Sequence, residues 1–361
     1  MAYVFRSTQV EPRARGEEFG SVHADRINDS IASYSYIYSE LIGRKFDFAK
    51  DFLSFGLEAL AATRRQAPAL CEEMIGIAEG AGIEPAIIGA LNARTEILAR
   101  LRVSYPGECS AVAHIDPAGT EPLALQNWDW FEPAADNWLV WEIPHRDGSM
   151  TTTFTEFGML GKIGINSHGV GALFTILRHA NDGANIGFPV HVAARWALDT
   201  GKNITTAMRS LALVKVSASS SITLVSNEAN SRTAVGFELY PRGPGIVFPN
   251  DKGLLVRTNH FLTAEAEKGD KQPSAFPDTF LRRDILMRRL APINHPTVDD
   301  VLAVMCNRIG GEYAICAIPT ADQKQPCRKT AATVILDFER HTLRVIEGGY
   351  RGASLVNDAA D

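Results

Sequence analysis

The spacing of apolar and polar positions first changes along this chain at about residue 109. Before that point apolar side chains recur at helical intervals. Phe48, Phe52 and Phe55 are followed by Leu60; Leu70, Met74 and Ile77 lie behind Pro68; Ile88, Leu91, Thr95 and Leu98 lie behind Pro85. A proline suits the first turn of a helix, where its missing N–H has no partner to lose, so Pro68 and Pro85 mark helix starts. Gly80-Ala81-Gly82 reads as a break. The first hundred residues therefore predict helices whose role is packing.

From Cys109 onward the pattern becomes strand-like. Residues 110–115 and 123–127 flank a turn at 116–120, residues 138–143 and 150–157 flank one at 145–148, and residues 162–166 and 171–177 flank one at 167–169. Two helices follow, one from Pro189 to a stop at Gly201 and one capped by Asn203. Strands resume at 221–227, 233–239 and 254–258, helices at 280–290 and after Thr297, and a hairpin at 333–337 and 342–347 closes the chain. Residues 241–253 and 263–277 read as surface loops. The order predicts an α+β fold in which sheets pack face to face with helices outside.

Composition narrows the function. A net charge of −6, a pI near 5.9 and the absence of a long Lys/Arg run argue against nucleic acid and anionic membranes, leaving small molecules as partners. No apolar run is long enough to span a bilayer, and residues 1–20 lack the apolar stretch of a secretory signal. Cys71, Cys109, Cys306, Cys316 and Cys327 are scattered and odd in number, as suits reduced thiols in a cytoplasmic protein. The dispersed histidines show no ligand spacing, so neither a metal nor another cofactor is expected.

Candidate chemistry centres on Cys109, which opens a strand directly after Tyr105-Pro106-Gly107-Glu108. A free thiol is mostly protonated at neutral pH and needs an activator, either a histidine or an N-terminal amine on the same residue. Alone, such a cysteine is more often a buried apolar thiol than a nucleophile; its place after a Pro-Gly turn brings the two readings level. In Asn127-Trp128-Asp129-Trp130 one strand face buries the tryptophans while Asn127 and Asp129 share the other, and a carboxylate there would hold a cationic amine in place. Asn259, at a strand end, is a candidate oxyanion donor; His260 beside it is the competing thiol base of a papain-like Cys–His pair that needs no chain cleavage. Trp128 and Trp130 are sheet core or the wall of an acyl pocket. A non-catalytic small-molecule-binding protein with the same sheets is the third alternative.

Several strings in order, Ile75-Gly76-Ile77-Ala78-Glu79-Gly80, Leu91-Asn92-Ala93-Arg94-Thr95-Glu96, Gln126-Asn127-Trp128-Asp129, Gly161-Lys162-Ile163-Gly164-Ile165-Asn166, Gly236-Phe237-Glu238 and Thr258-Asn259-His260, resemble the acyl-coenzyme A:6-aminopenicillanic acid acyltransferase family of N-terminal-nucleophile hydrolases. The resemblance implies a four-layer αββα sandwich of two antiparallel sheets and a precursor that cuts itself between Glu108 and Cys109. It divides the chain into a helical small chain, 1–108, and a large chain, 109–361, that remain associated. It further implies Cys109 as nucleophile, Asp129 as the positioning carboxylate, Asn259 as the oxyanion donor and Arg328 as the arginine near the last hairpin. The implied substrates are an amide or acyl thioester, with water or an amine as acceptor. One position departs from the pattern: Glu108 stands where the family pattern has glycine.

Overall fold

The computed structural model describes residues 2–105, 109–116, 118, 121–228, 231–319 and 325–352. The strands among them are β1 (Val4–Arg6), β2 (Cys109–His114), β3 (Leu123–Phe131), β4 (Trp138–Pro144), β5 (Met150–Glu156), β6 (Ile163–Asn166), β7 (Val170–Ile176), β8 (Ser220–Glu228), β9 (Ser231–Leu239), β10 (Gly245–Val247), β11 (Leu254–Arg257), β12 (Arg328–Asp337) and β13 (Thr342–Glu347). They form a large sheet in the order β1-β4-β5-β6-β7-β8-β9-β10 and a small one in the order β11-β2-β3-β12-β13.

Side-chain alternation on the small sheet explains the layering. On β2, Ala111 and Ala113 join the main core between the sheets, while Val112 joins Leu125, Val256, Leu286, Leu302 and Met305 under the helices Asp278–Leu290 and Val298–Met305. Between the sheets, the Trp128 and Phe154 rings lie 5.3 Å apart, and Gln126 bonds both backbone groups of Phe174 across the gap. The outer face of the large sheet carries the helices Val190–Thr200 and Ile204–Leu213; there Asn166 donates to Leu198 O and Gly201 O at 2.7 Å. The result is the helix–sheet–sheet–helix order expected.

Three details differ from the sequence expectation. The sheets are not wholly antiparallel, because β1 adds to β4 in parallel and brings a strand into the N-terminal segment that was read as helical throughout. Residues 241–253 contain β10, which pairs with β9. Residues 263–277 form the single turns Ala264–Glu267 and Gln272–Ala275, with Gln272 buried. Segments this short carry no readable period, and pairing with a sheet edge or a buried polar anchor creates them.

The break expected at Gly80-Ala81-Gly82 belongs to Gly82 alone, which caps the helix Pro68–Ala81 at φ 68°. Gly80 lies inside that helix and serves a crossing. The helices Pro12–Ile42 and Pro68–Ala81 meet backbone to backbone: a Cβ added at Gly20 would stand 2.1 Å from Ile77 O, and one at Gly76 the same distance from Arg13 O. Part of the glycine pattern in the first resembling string is therefore packing. The turn at 116–120 falls partly outside the described residues.

Candidate functional site

β2 is a central strand of the small sheet, so its first residue is covered on both faces. Cys109 pairs with Trp128 and is 2% exposed. Directly opposed residues of antiparallel strands share a face, so the thiol points between the sheets beside the tryptophans. Ser110 pairs with Asn127 and faces the outer helices. Asp129, two residues on from Asn127, shares that outer face, as the alternation predicted.

The Cys109 backbone is gripped from the segment just after β11 and from the helix Asp278–Leu290. Its N–H donates to Asn259 Oδ1 at 3.4 Å, and its carbonyl oxygen accepts from Arg282 Nη1 at 2.7 Å. Arg282 also donates to Ser110 Oγ at 3.1 Å, to Asn259 Oδ1 at 2.8 Å and to Asp278 Oδ2 at 3.0 Å. Asn259 donates through Nδ2 to Ile176 O at 2.9 Å. An amide NH₂ carries two donors, so this bond alone leaves one for another acceptor.

Asp129 is fully buried; Thr330 Oγ1 donates to it at 2.5 Å and Arg328 Nη2 lies 3.3 Å from its Oδ2. Burial pushes its carboxyl up to about 6, against the Arg328 guanidinium, which favours the charged form. The β3–β12 register shifts between Thr330 and Ala332, a bulge that turns the strand beside Asp129. Asn127 is tied to Met305 O, Ile315 O and the Thr333 hydroxyl, which makes it a strut between sheet and helix.

His260 points elsewhere. Its Nδ1 meets Thr279 Oγ1 at 2.9 Å and Thr258 Oγ1 at 3.2 Å, and its ring packs on Phe280. Burial, with Arg257 nearby, pulls its imidazole down to about 3. A base whose protonated form is that unfavourable is poorly matched to a thiol near neutrality.

Two buried cations at this site were not singled out from the sequence. Arg282 looked like one more charge in the helical run Arg282-Arg283-Asp284; its only signal was Asp278 one turn earlier. Lys162 sits on the inner face with Nζ 3.9 Å from the Trp128 ring centroid, paired with Glu156, which also takes Arg94 and the Tyr34 hydroxyl. Burial pulls the Lys162 ammonium down to about 8, opposed first by Glu156, and the Cys109 thiol also bears on its charge. Trp130 lies under the Arg94 guanidinium and donates to Tyr34 Oη at 3.1 Å, so it is part of this core and not a free pocket wall.

Glu108, the other side of the expected cleavage point, lies outside the described residues. Among the described residues no group of three His, Cys, Asp or Glu side chains is placed to hold a metal ion, and no helix is long and apolar enough to cross a membrane.

Residues 117–351 match the family model described as acyl-coenzyme A:6-aminopenicillanic acid acyl-transferase. The 40 kDa form of acyl-coenzyme A:6-aminopenicillanic-acid-acyltransferase from Emericella nidulans is 29% identical over 266 residues, 73% of this chain and 72% of that protein. Among solved structures, penicillin V acylase from Agrobacterium tumefaciens aligns with a TM-score of 0.47 at 13% identity, over 66% of this chain and 83% of that one. With well over half of its length matched by the family model, the chain belongs to the acyl-coenzyme A:6-aminopenicillanic acid acyltransferase family.

Proposed function

We propose that this protein is a self-processing cysteine amidohydrolase or N-acyltransferase of the N-terminal-nucleophile type. The Cys109 thiol attacks the Glu108 carbonyl carbon, the C–N bond to Cys109 breaks, and the acyl group moves from nitrogen to sulfur. Water then hydrolyses the thioester, leaving a carboxylate on Glu108 and a free α-amine and thiol on Cys109. In turnover that amine takes the thiol proton as sulfur adds to a substrate carbonyl. The Asn259 side-chain N–H stabilises the oxyanion, and Asp129, backed by Arg328, holds the charged amine. Collapse releases the amine or thiol half of the substrate, and water or an acceptor amine takes the acyl group from sulfur.

The observation that carries this reading is the convergence on one residue's backbone. The amide nitrogen that would become the amine lies against Asn259, and Arg282 fixes the adjoining carbonyl, so the backbone at the head of β2 is held in register. The family membership supports acyl chemistry at amides or thioesters. The geometry of His260 disfavours the papain-like alternative.

The test is N-terminal sequencing and a denaturing gel. The purified protein is expected as two fragments of the 39.3 kDa precursor, the larger beginning at Cys109, while Cys109→Ala stays whole and inactive. Full activity with the Glu108–Cys109 bond intact would overturn the mechanism. Ligand binding undiminished in Cys109→Ala, with no turnover in either protein, would favour a binding role. Incubation with simple aryl or alkanoyl thioesters is expected to leave an acyl adduct on Cys109, and added amines should divert the product from acid to amide if transfer is the physiological outcome.

A further inference from the structure

A cleft of about 390 Å³ opens where the chain approaches Cys109, lined by Val103, Ser104 and Tyr105 from that approach and by Ile176, Leu177 and Arg178 at the end of β7. It adjoins the site through Ile176, whose carbonyl accepts from the Asn259 side chain that in turn accepts from the Cys109 N–H. Its walls carry the cations Arg102, Arg178 and Lys271. Arg178 lies over the Tyr105 ring, its guanidinium carbon 3.7 Å from the centroid, with the buried Nη2 left without a hydrogen-bond partner. Thr95, on the same wall and 3% exposed, also has a buried hydroxyl without a partner.

Two unpaired buried polar groups in a cationic cleft are costly unless something fills them. The Asp182 carboxylate bears on Arg178 as an opposite charge but does not hydrogen-bond its Nη2. Asp182 already accepts from the His179 N–H at 2.8 Å and from Ser219 Oγ at 2.7 Å, and burial pushes its carboxyl up to about 7. Burial keeps His179 below its ordinary range, so it is neutral near pH 7. Arg102 has a left-handed backbone, φ 55°, at a helix end where glycine is the low-cost residue, so an arginine there keeps a long cation at the rim against a local preference.

We propose that this cleft holds a carboxylate carried by the substrate, seated on Arg178 Nη2 and the Thr95 hydroxyl with Lys271 and Arg102 at the rim, while the scissile carbonyl lies at Cys109. One guanidinium N–H and one hydroxyl suit the two oxygens of a carboxylate. The inference rests on the proposed use of Cys109 for the position of the reacting bond, but not for the anion site itself.

The experiment uses two matched pairs of aryl amides, one for each side of the bond: N-benzoylglycine against N-benzoylglycinamide, and succinanilic acid against its carboxamide. Affinities are measured by calorimetry on the purified wild-type protein and on Arg178→Gln. In at least one pair the carboxylate is expected to bind about tenfold or more tighter than its neutral twin, and Arg178→Gln is expected to erase that preference. Equal affinities within both pairs, no binding by either carboxylate, or a preference that survives in Arg178→Gln would each overturn the proposal. Should Arg178→Gln not fold, Lys271→Gln at the exposed rim is expected to weaken the preference severalfold, and an undiminished preference there counts against the site. A carboxylate preference in a protein that neither cleaves itself nor forms an acyl adduct would retain the anion site and sink the proposed mechanism instead.

Discussion

At the scale of single residues, the proposed mechanism divides the work around Cys109 between Asn259 and Arg282. Asn259 has a donor to offer a developing oxyanion, so Asn259→Ala is expected to lower turnover by about two to three orders of magnitude. His260→Ala should keep most of the activity of the processed enzyme, because its ring is engaged with Thr279 and Thr258. Steady-state kinetics on the two variants checks this, and the reverse pattern would restore the Cys–His alternative. Arg282 fixes the Cys109 carbonyl, so Arg282→Lys, which keeps the charge but not the fork, is expected to slow both self-cleavage and kcat by about a hundredfold with KM little changed. A loss confined to KM would mean that Arg282 acts elsewhere. Cys109, Asp129 and Asn259 stood out in the sequence because each is a chemically capable group at a point where the strand pattern starts, alternates or ends. Arg282 and Lys162 did not, since a long cation on a helix or strand normally reaches solvent, and only the tertiary fold shows these two sealed in.

Among elements, the joins between helices and sheets rest on buried polar anchors. Glu96, in the helix Arg94–Arg100, accepts from the Val190 N–H at 2.8 Å and so caps the helix Val190–Thr200, whose own N-cap is Pro189. The sequence placed Pro189 at that start but gave no sign of a cap from almost a hundred residues away. Burial raises the Glu96 carboxyl from 4.5 to about 7, opposed first by the Val190 N–H. Below the unfolded value both states are protonated and nothing is lost; as pH rises through this window the unfolded carboxyl ionises while the buried one keeps its proton, and stability falls until the folded value is passed. Glu96→Gln keeps an acceptor for Val190 and removes the titration. Its melting temperature relative to wild type should therefore rise between pH 5 and pH 8, by the equivalent of a few kcal/mol. The buried amide's own cost is independent of pH and cancels in that difference. A gap of constant size at both pH values would refute the assignment. The hairpins were legible because period and turn chemistry agree over several residues. β1, β10 and the single turns at 264–267 and 272–275 were not, because each exists only through its neighbours.

For the whole molecule, the proposed cleavage before Cys109 would divide the chain but not the core. β1 is an edge strand of the large sheet, and Asn92 bonds Gly158 O at 3.0 Å and the Leu160 N–H at 2.9 Å. Two buried ionic clusters also bridge it: Glu73 holds Arg195 at 3.0 Å as well as Arg15, and Arg94 meets Glu156 at 3.2 Å. Hydrophobic spacing in the first hundred residues showed that they form helices, but could not show that those helices complete the core of the strands that follow. Cutting before Cys109 breaks none of these contacts. The cleaved protein is therefore expected to elute under native conditions as one particle containing both fragments and to come apart only in denaturant. Glu73→Ala tests which contacts hold it. It strips the carboxylate from two buried guanidiniums, and removing one side of a buried ion pair costs about 3–5 kcal/mol. Because Arg195 retains Asp199 at 2.7 Å, the loss should fall toward the lower end, seen as a lower denaturant midpoint for fragment separation. Fragments that part under native conditions in the wild-type protein, or a midpoint unmoved by Glu73→Ala, would show that the two segments are held by something other than this shared core.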